Sequence, residues 1–179
     1  MKKLLIVTCA CLFFVACACS VSGSGTDELH IGVRLTTGER SRDTSSQTTT
    51  ITVEGDAIVW GQTFSGRRNA APSVRKEFKL PPADKGNLLE LIKSNNLLVT
   101  DSIELPQEPP VFYFKISVDL TLEGKKGAIN ISGPRTAVKI KEEKLYQNTL
   151  TLVKELYRIM NSQDKSVRFE ELIHDPIKR

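Results

Sequence analysis

The feature that most restricts this chain is an unbroken alternation over Phe112–Leu122. Phe112, Phe114, Ile116, Val118, Leu120 and Leu122 occupy one set of positions and Tyr113, Lys115, Ser117, Asp119 and Thr121 the other. Successive side chains of an extended backbone point to opposite faces, so this run makes a strand with one apolar and one polar face, roughly 36 Å long at ~3.3 Å per residue. A sheet built around it carries a core on one side and meets solvent on the other, which is the habit of antiparallel sheets. The alternation recurs in Leu29–Thr36, in Thr49–Val53 and in Val74–Leu80, and Ala57–Trp60 returns after a tight turn at Gly55-Asp56. A turn over Gly124–Gly127 leads into Ala128–Ser132, whose Ile129 and Ile131 extend the apolar set, while Thr37–Gln47 reads as a long polar loop.

Two helices supply the layer that the apolar face needs. The first is expected from about Pro82 to Asn96, with Leu88, Leu91 and Ile92 on one stripe and proline tolerated in its first turn. The second is expected from about Glu142 to Met160, with Leu145, Leu152, Val153, Leu156 and Met160 inward and Lys144, Asn148, Lys154, Glu155 and Arg158 outward. The expected fold is therefore α+β: an antiparallel sheet of about five or six strands with two helices packed on one face, spanning residues 29–160. In the tail, 161–179, Val167, Phe169, Leu172 and Ile173 are spaced for a short helix. A chain of 179 residues, 40% hydrophobic and 26% charged, is sufficient for one such core.

Residues 1–16 have the layout of an export signal: Lys2 and Lys3, then an apolar stretch from Leu4 to Ala16 that is too short to span a bilayer of about 30 Å. All four cysteines, Cys9, Cys11, Cys17 and Cys19, fall in or just after this segment, so the body is expected to hold neither a disulfide nor a thiolate metal site. Phe14-Val15-Ala16-Cys17 resembles the lipobox of bacterial lipoproteins, with Phe14 where leucine is usual. The resemblance implies that Cys17 is acylated and becomes the first mature residue; Ala16-Cys17-Ala18-Cys19 offers a second frame with Cys19 as the anchor. Two or three acyl chains hold a protein on a membrane stably where one does so only marginally. Residues 17–28 are then the anchor and a Ser/Gly tether, of which Ser20–Gly25 reaches on the order of 15 Å. Ala18 and Ser20 stand where such lipoproteins carry Asp for inner-membrane retention, which implies the outer membrane.

No catalytic motif accompanies this framework. His30 lies at a polar position of an early strand, and His174 lies beside Asp175 in the tail. Glu170 and His174 are four apart but lack a third metal ligand. Ser73-Val74-Arg75-Lys76 and Ser162-Gln163-Asp164-Lys165 have Ser-x-x-Lys spacing without the companion elements of penicillin-binding enzymes. Glu142-Glu143 and Glu170-Glu171 are sequence neighbours and diverge on a helix. Asn130-Ile131-Ser132 is a glycosylation pattern read here as strand. The chain is expected to be a non-enzyme with no catalytic residues, metal or cofactor.

Binding surfaces are the remaining candidates. Arg67, Arg68, Arg75 and Lys76, with Arg40 and Arg42 on another loop, are expected to form a basic patch for an envelope protein, an anionic lipid or a glycan. Tyr113 and Lys115 on the polar strand face, and the proline-rich segment Leu105–Pro110, are further contact candidates. The net charge is +4; losing Lys2 and Lys3 with the leader lowers it to about +2, too little for nucleic acid. Leu80-Pro81-Pro82-Ala83-Asp84, Leu88–Ile92, Asn95–Leu98 and Leu105-Pro106 resemble a segment of small bacterial domains that include emfourin-type inhibitors of thermolysin-like metalloproteases. That resemblance implies strands, helix, hairpin and helix over residues 29–160, and protease inhibition as a possible activity. The main expectation is a lipid-anchored binding module of the bacterial cell envelope.

Overall fold

A computed structural model describes residues 29–39, 45–66, 73–106 and 112–173. Cys17, Cys19, Arg40, Arg42, Arg67, Arg68 and His174 lie outside the described residues, as does most of the proline-rich segment. Seven strands form one sheet: β1 (His30–Glu39), β2 (Ser45–Glu54), β3 (Ala57–Ser65), β4 (Val74–Lys79), β5 (Thr100–Glu104), β6 (Phe112–Leu122) and β7 (Lys125–Pro134). Their spatial order is β4-β3-β2-β1-β6-β7-β5. Two helices, α1 (Pro82–Ser94) and α2 (Lys144–Gln163), complete the α+β fold.

From Phe114 onward the central strand behaves as its alternation requires, whereas Phe112, expected inward, is 57% exposed because it lies at the sheet's end opposite Glu39, the last residue of β1. Phe114, Ile116, Val118, Leu120 and Leu122 are buried, while Lys115 and Asp119 are exposed. Pairing of Val33 with Val118 and of Ile116 with Ile131 carries the apolar row into β1 and β7. Ile31, Ile51, Ile58 and Ile129 continue it to the flanking strands, all at most 1% exposed. The strands are longer than expected: β1 runs to Glu39 and β2 starts at Ser45, so only residues 40–44 separate them.

The strand missing from the expected five or six is β5, and it is the one that pairs in parallel, with β7. Its sequence, Thr-Asp-Ser-Ile-Glu, has a single apolar residue, because an edge strand exposed along its length needs no more. Both β5 and β7 begin at the end of the sheet that carries the hairpin turns, hence their common direction. Gly127 lets this happen. A Cβ there would meet the Leu97 carbonyl at 2.8 Å and the Leu98 Cα at 2.9 Å, so the chain between α1 and β5 crosses directly over it. Gly127 is thus a strand residue, and the turn expected over Gly124–Gly127 is Glu123-Gly124, with φ of 53° and 76°. Positive φ at both central positions suits the right-handed twist of a two-residue hairpin. Gly55, φ 61°, makes the β2–β3 turn as expected.

Helix α1 lies across the hairpin end, tied by Lys85 to Asp56 of one turn and by Lys93 to Glu123 of the other. It stops at Ser94 because Asn96 adopts φ 51° and the chain reverses. The Leu97 N–H donates to the Ile92 carbonyl and the Asn96 N–H to that of Lys93, while Leu97 is buried. Helix α2 runs antiparallel to α1, with Asn148 bonded to the Asn95 carbonyl at one end and Arg158 bonded to Asp84 nearer the other. Tyr146 packs edge-on against Phe114.

The short helix expected in the tail does not form over 164–173. Asp164 leaves helical geometry at φ −141°, and its carboxylate accepts the Ser166 N–H, which turns the chain back along α2. The result is an irregular strap that buries Val167, Leu172 and Ile173 over the half of the sheet that α1 leaves open. Gln163 performs a second task at the end of α2. Its side-chain amide accepts from the Lys79 N–H and donates to the Lys79 carbonyl, pairing edge strand β4 as a further strand would.

Truncating Phe114 to Ala should cost about 3–5 kcal/mol in urea unfolding, while Lys115→Ala should stay within about 0.5 kcal/mol. Equal losses would contradict the register.

Candidate functional site

The expected basic patch is divided by the geometry of β4. Arg75 and Lys76 are consecutive strand residues and so lie on opposite faces. Arg75 sits on the uncovered face opposite Gly61, whereas the Lys76 ammonium donates to Asp164 Oδ2 at 2.6 Å and to Ser166 Oγ at 2.7 Å. Lys76 therefore holds the strap and is not a ligand-facing cation. The Ser-x-x-Lys spacings dissolve for the same kind of reason: Lys76 is bound to Asp164, and Ser162 donates to the Ile159 carbonyl.

Tyr113 and Lys115 do share the uncovered face. Tyr113 stands beside Gly38, its cross-strand partner, and a Cβ on that glycine would lie 2.7 Å from the phenol oxygen and 2.8 Å from Cε1. The ring covers bare glycine backbone, a packing role. Lys115, exposed between Thr36 and Ser132, remains available for contact. Around it the face is made of short polar side chains, including Thr48, Thr50, Thr52, Ser117 and Asn130, with Arg34 between Thr50 and Ser117. His30 lies at the hairpin end with Nδ1 3.5 Å from Glu54 Oε1.

The more built-up surface is on the other side, around the strap. Lys76 fastens its start, and Asn161 Nδ2 donates to the Val167 carbonyl at 2.9 Å in its middle. Near its end Arg135, just after β7, donates from Nε to the Leu172 carbonyl at 2.9 Å and from Nη2 to that of Glu171 at 3.1 Å. Phe169 packs edge-on against Tyr157 with ring centroids 5.4 Å apart. Hydrogen bonds from Lys76 and from the Ser166 hydroxyl and N–H hold the Asp164 carboxyl well below the usual carboxylate range. Burial pushes the Tyr146 phenol up to about 12, with Glu171 adding to it, and raises Tyr157 against the opposing pull of Trp60 and Thr49.

Three hollows flank the strap. A small one of about 50 Å³ lies beneath it, between Thr37, Gln47 and Gln62 of the sheet and Arg135, Arg168 and Glu170. On its other side an open groove of about 460 Å³ runs between the strap and the solvent side of α2, past Lys154, Asn161, Lys165, Arg168 and Phe169. Lys154 and Phe169 also line the third, of about 170 Å³, which continues toward Lys141, Gln147 and Leu150. None of these groove residues was a sequence candidate. The signal was present, since Lys154, Arg158 and Asn161 repeat at i, i+4 and i+7 on one stripe, but a charged stripe on a helix ordinarily means solvent.

Among the described residues no three His, Cys, Asp or Glu side chains stand together as a metal site, and no helix is long and apolar enough to cross a membrane. No protein-family model matches the chain, and none of the curated proteins compared with it is detectably similar.

The depressed Asp164 value has a sign. The folded state holds the carboxylate more tightly than the unfolded chain does, so its contribution is present above about pH 4 and is lost as pH falls through the folded-state value. Asp164→Asn should lower the urea midpoint at neutral pH and flatten its decline on acidification, compared at pH 7 and 2.5 by fluorescence. An unchanged acid profile would remove Asp164 from the strap's fastening.

Proposed function

We propose that this protein is a lipid-anchored binding module of the bacterial cell envelope, held on the outer membrane through Cys17. The observation that carries the reading is the lipobox-like Phe14-Val15-Ala16-Cys17 and the Ser/Gly tether behind it, joined to a domain that is entered at one end of its sheet. His30, the first residue of β1, pairs with Glu54 and Thr121 beside the two hairpin turns. A tether arriving there turns the hairpin end toward the membrane, where Lys125 and Lys126 are exposed and of the right sign for anionic headgroups. The opposite end of the ten-residue β1 stands roughly 33 Å away at ~3.3 Å per residue. There the strand ends, Arg135 and the tip of the strap look away from the bilayer. The domain supplies surface to a partner, and the tether sets the distance at which it is offered.

Fractionation of cells producing the full chain tests this. The protein should sediment with membranes, with acyl mass on its first residue, and Cys17→Ser should release it to the soluble fraction while Cys19→Ser leaves it bound. An unmodified first residue on membrane-purified protein would end the proposal.

A further inference from the structure

We infer that the groove between α2 and the strap is the docking site for an extended, acidic peptide segment of another protein. The inference rests on the reading of the domain as a binding module and names the kind of partner it takes. Charge is the first support. Two neighbouring cations are matched, Lys76 by Asp164 at the start of the strap and Arg158 by both Asp84 and Glu155 on α2. Along the groove, Lys154, Lys165 and Arg168 have no carboxylate within ion-pair distance among the described residues, so unmatched positive charge gathers where the surface is concave.

Shape and apolar surface are the second. Phe169, half-buried, stands between the two hollows with the Lys154 ammonium 5.7 Å from its ring centroid. Leu150, also half-buried, lines the second hollow. From Gln147 to Asn161 the α2 stripe extends about 21 Å at ~1.5 Å per residue, the length of about six residues of extended chain at ~3.3 Å each. Cations at both ends, Lys141 at one and Lys165 and Arg168 at the other, then meet carboxylates while alternate apolar side chains rest on Phe169 and Leu150. A compact anion is a poorer fit. The unmatched cations are exposed side chains spread along the groove, so a lone phosphate would reach few of them.

A fluorescein-labelled hexapeptide of alternating Glu and Leu, titrated by anisotropy against the full-length protein in non-ionic detergent, is the test. It should bind, more weakly as salt rises, whereas a Lys/Leu hexapeptide should not. Lys165→Glu and Arg168→Glu should each weaken binding about fivefold or more with no change in Tm, and Lys126→Glu at the hairpin end should leave it unaltered. Phe169→Leu should weaken it while keeping the domain folded. No binding of the Glu/Leu peptide, or equal binding by both charge-reversed variants, would overturn the inference. So would a lipid result, in which phosphatidylglycerol vesicles bind in a Lys165-dependent way and the peptide does not. Membrane fractionation reports on the anchor alone and the titration on the groove alone, so the two failures are distinguishable.

Discussion

A sheet that carries a nearly continuous apolar row on one face has to be covered along that row, and most of this architecture follows from that requirement. Phe114 to Leu122 on β6, with the rows they share on β1 and β7, expose a surface that no single helix spans. Helix α1 covers the hairpin end, α2 crosses the middle, and the strap closes the remainder with Val167, Leu172 and Ile173. Within the strap the backbone closes only a single turn, the Val167 N–H donating to the Asp164 carbonyl, among its described bonds. Its backbone carbonyls are met from outside, by Asn161 at Val167 and by Arg135 at Glu171 and Leu172. Buried irregular backbone is tolerable where side chains take over the pairing that regular structure would provide.

The parts of the fold visible in the sequence are those whose local pattern and tertiary role agree. Phe112–Leu122 and the α2 stripe place apolar residues at the spacing of the element they form, and Gly55-Asp56 is a turn in isolation and in the domain. β5 was hidden because Thr100–Glu104 draws its stability from pairing with β7 and from the passage of the chain over Gly127, neither of which leaves a periodic trace. The strap reads as helix in the sequence for a related reason. The spacing of Phe169, Leu172 and Ile173 suits a helix, but Asp164 binding Ser166 and Arg135 binding the strap carbonyls select another backbone, and Arg135 is more than thirty residues away in sequence.

Candidate site residues failed on a simpler point. Adjacent residues on a strand face opposite ways, so Arg75 and Lys76 had to part company once β4 formed, and one of them was needed structurally. Tyr113 was absorbed by Gly38. The groove cations, by contrast, come from a helix stripe and a turn that meet only after the strap has folded back, and nothing local in the sequence predicts that meeting.

The position of the strap also orders the events of synthesis. It leaves the ribosome after every strand and helix it covers, so a nascent chain carries an unsealed core until residues 164–173 are free. Closure of the core is thereby deferred until the last segment of the domain has been made, and the strands and helices before it wait with an apolar face uncovered.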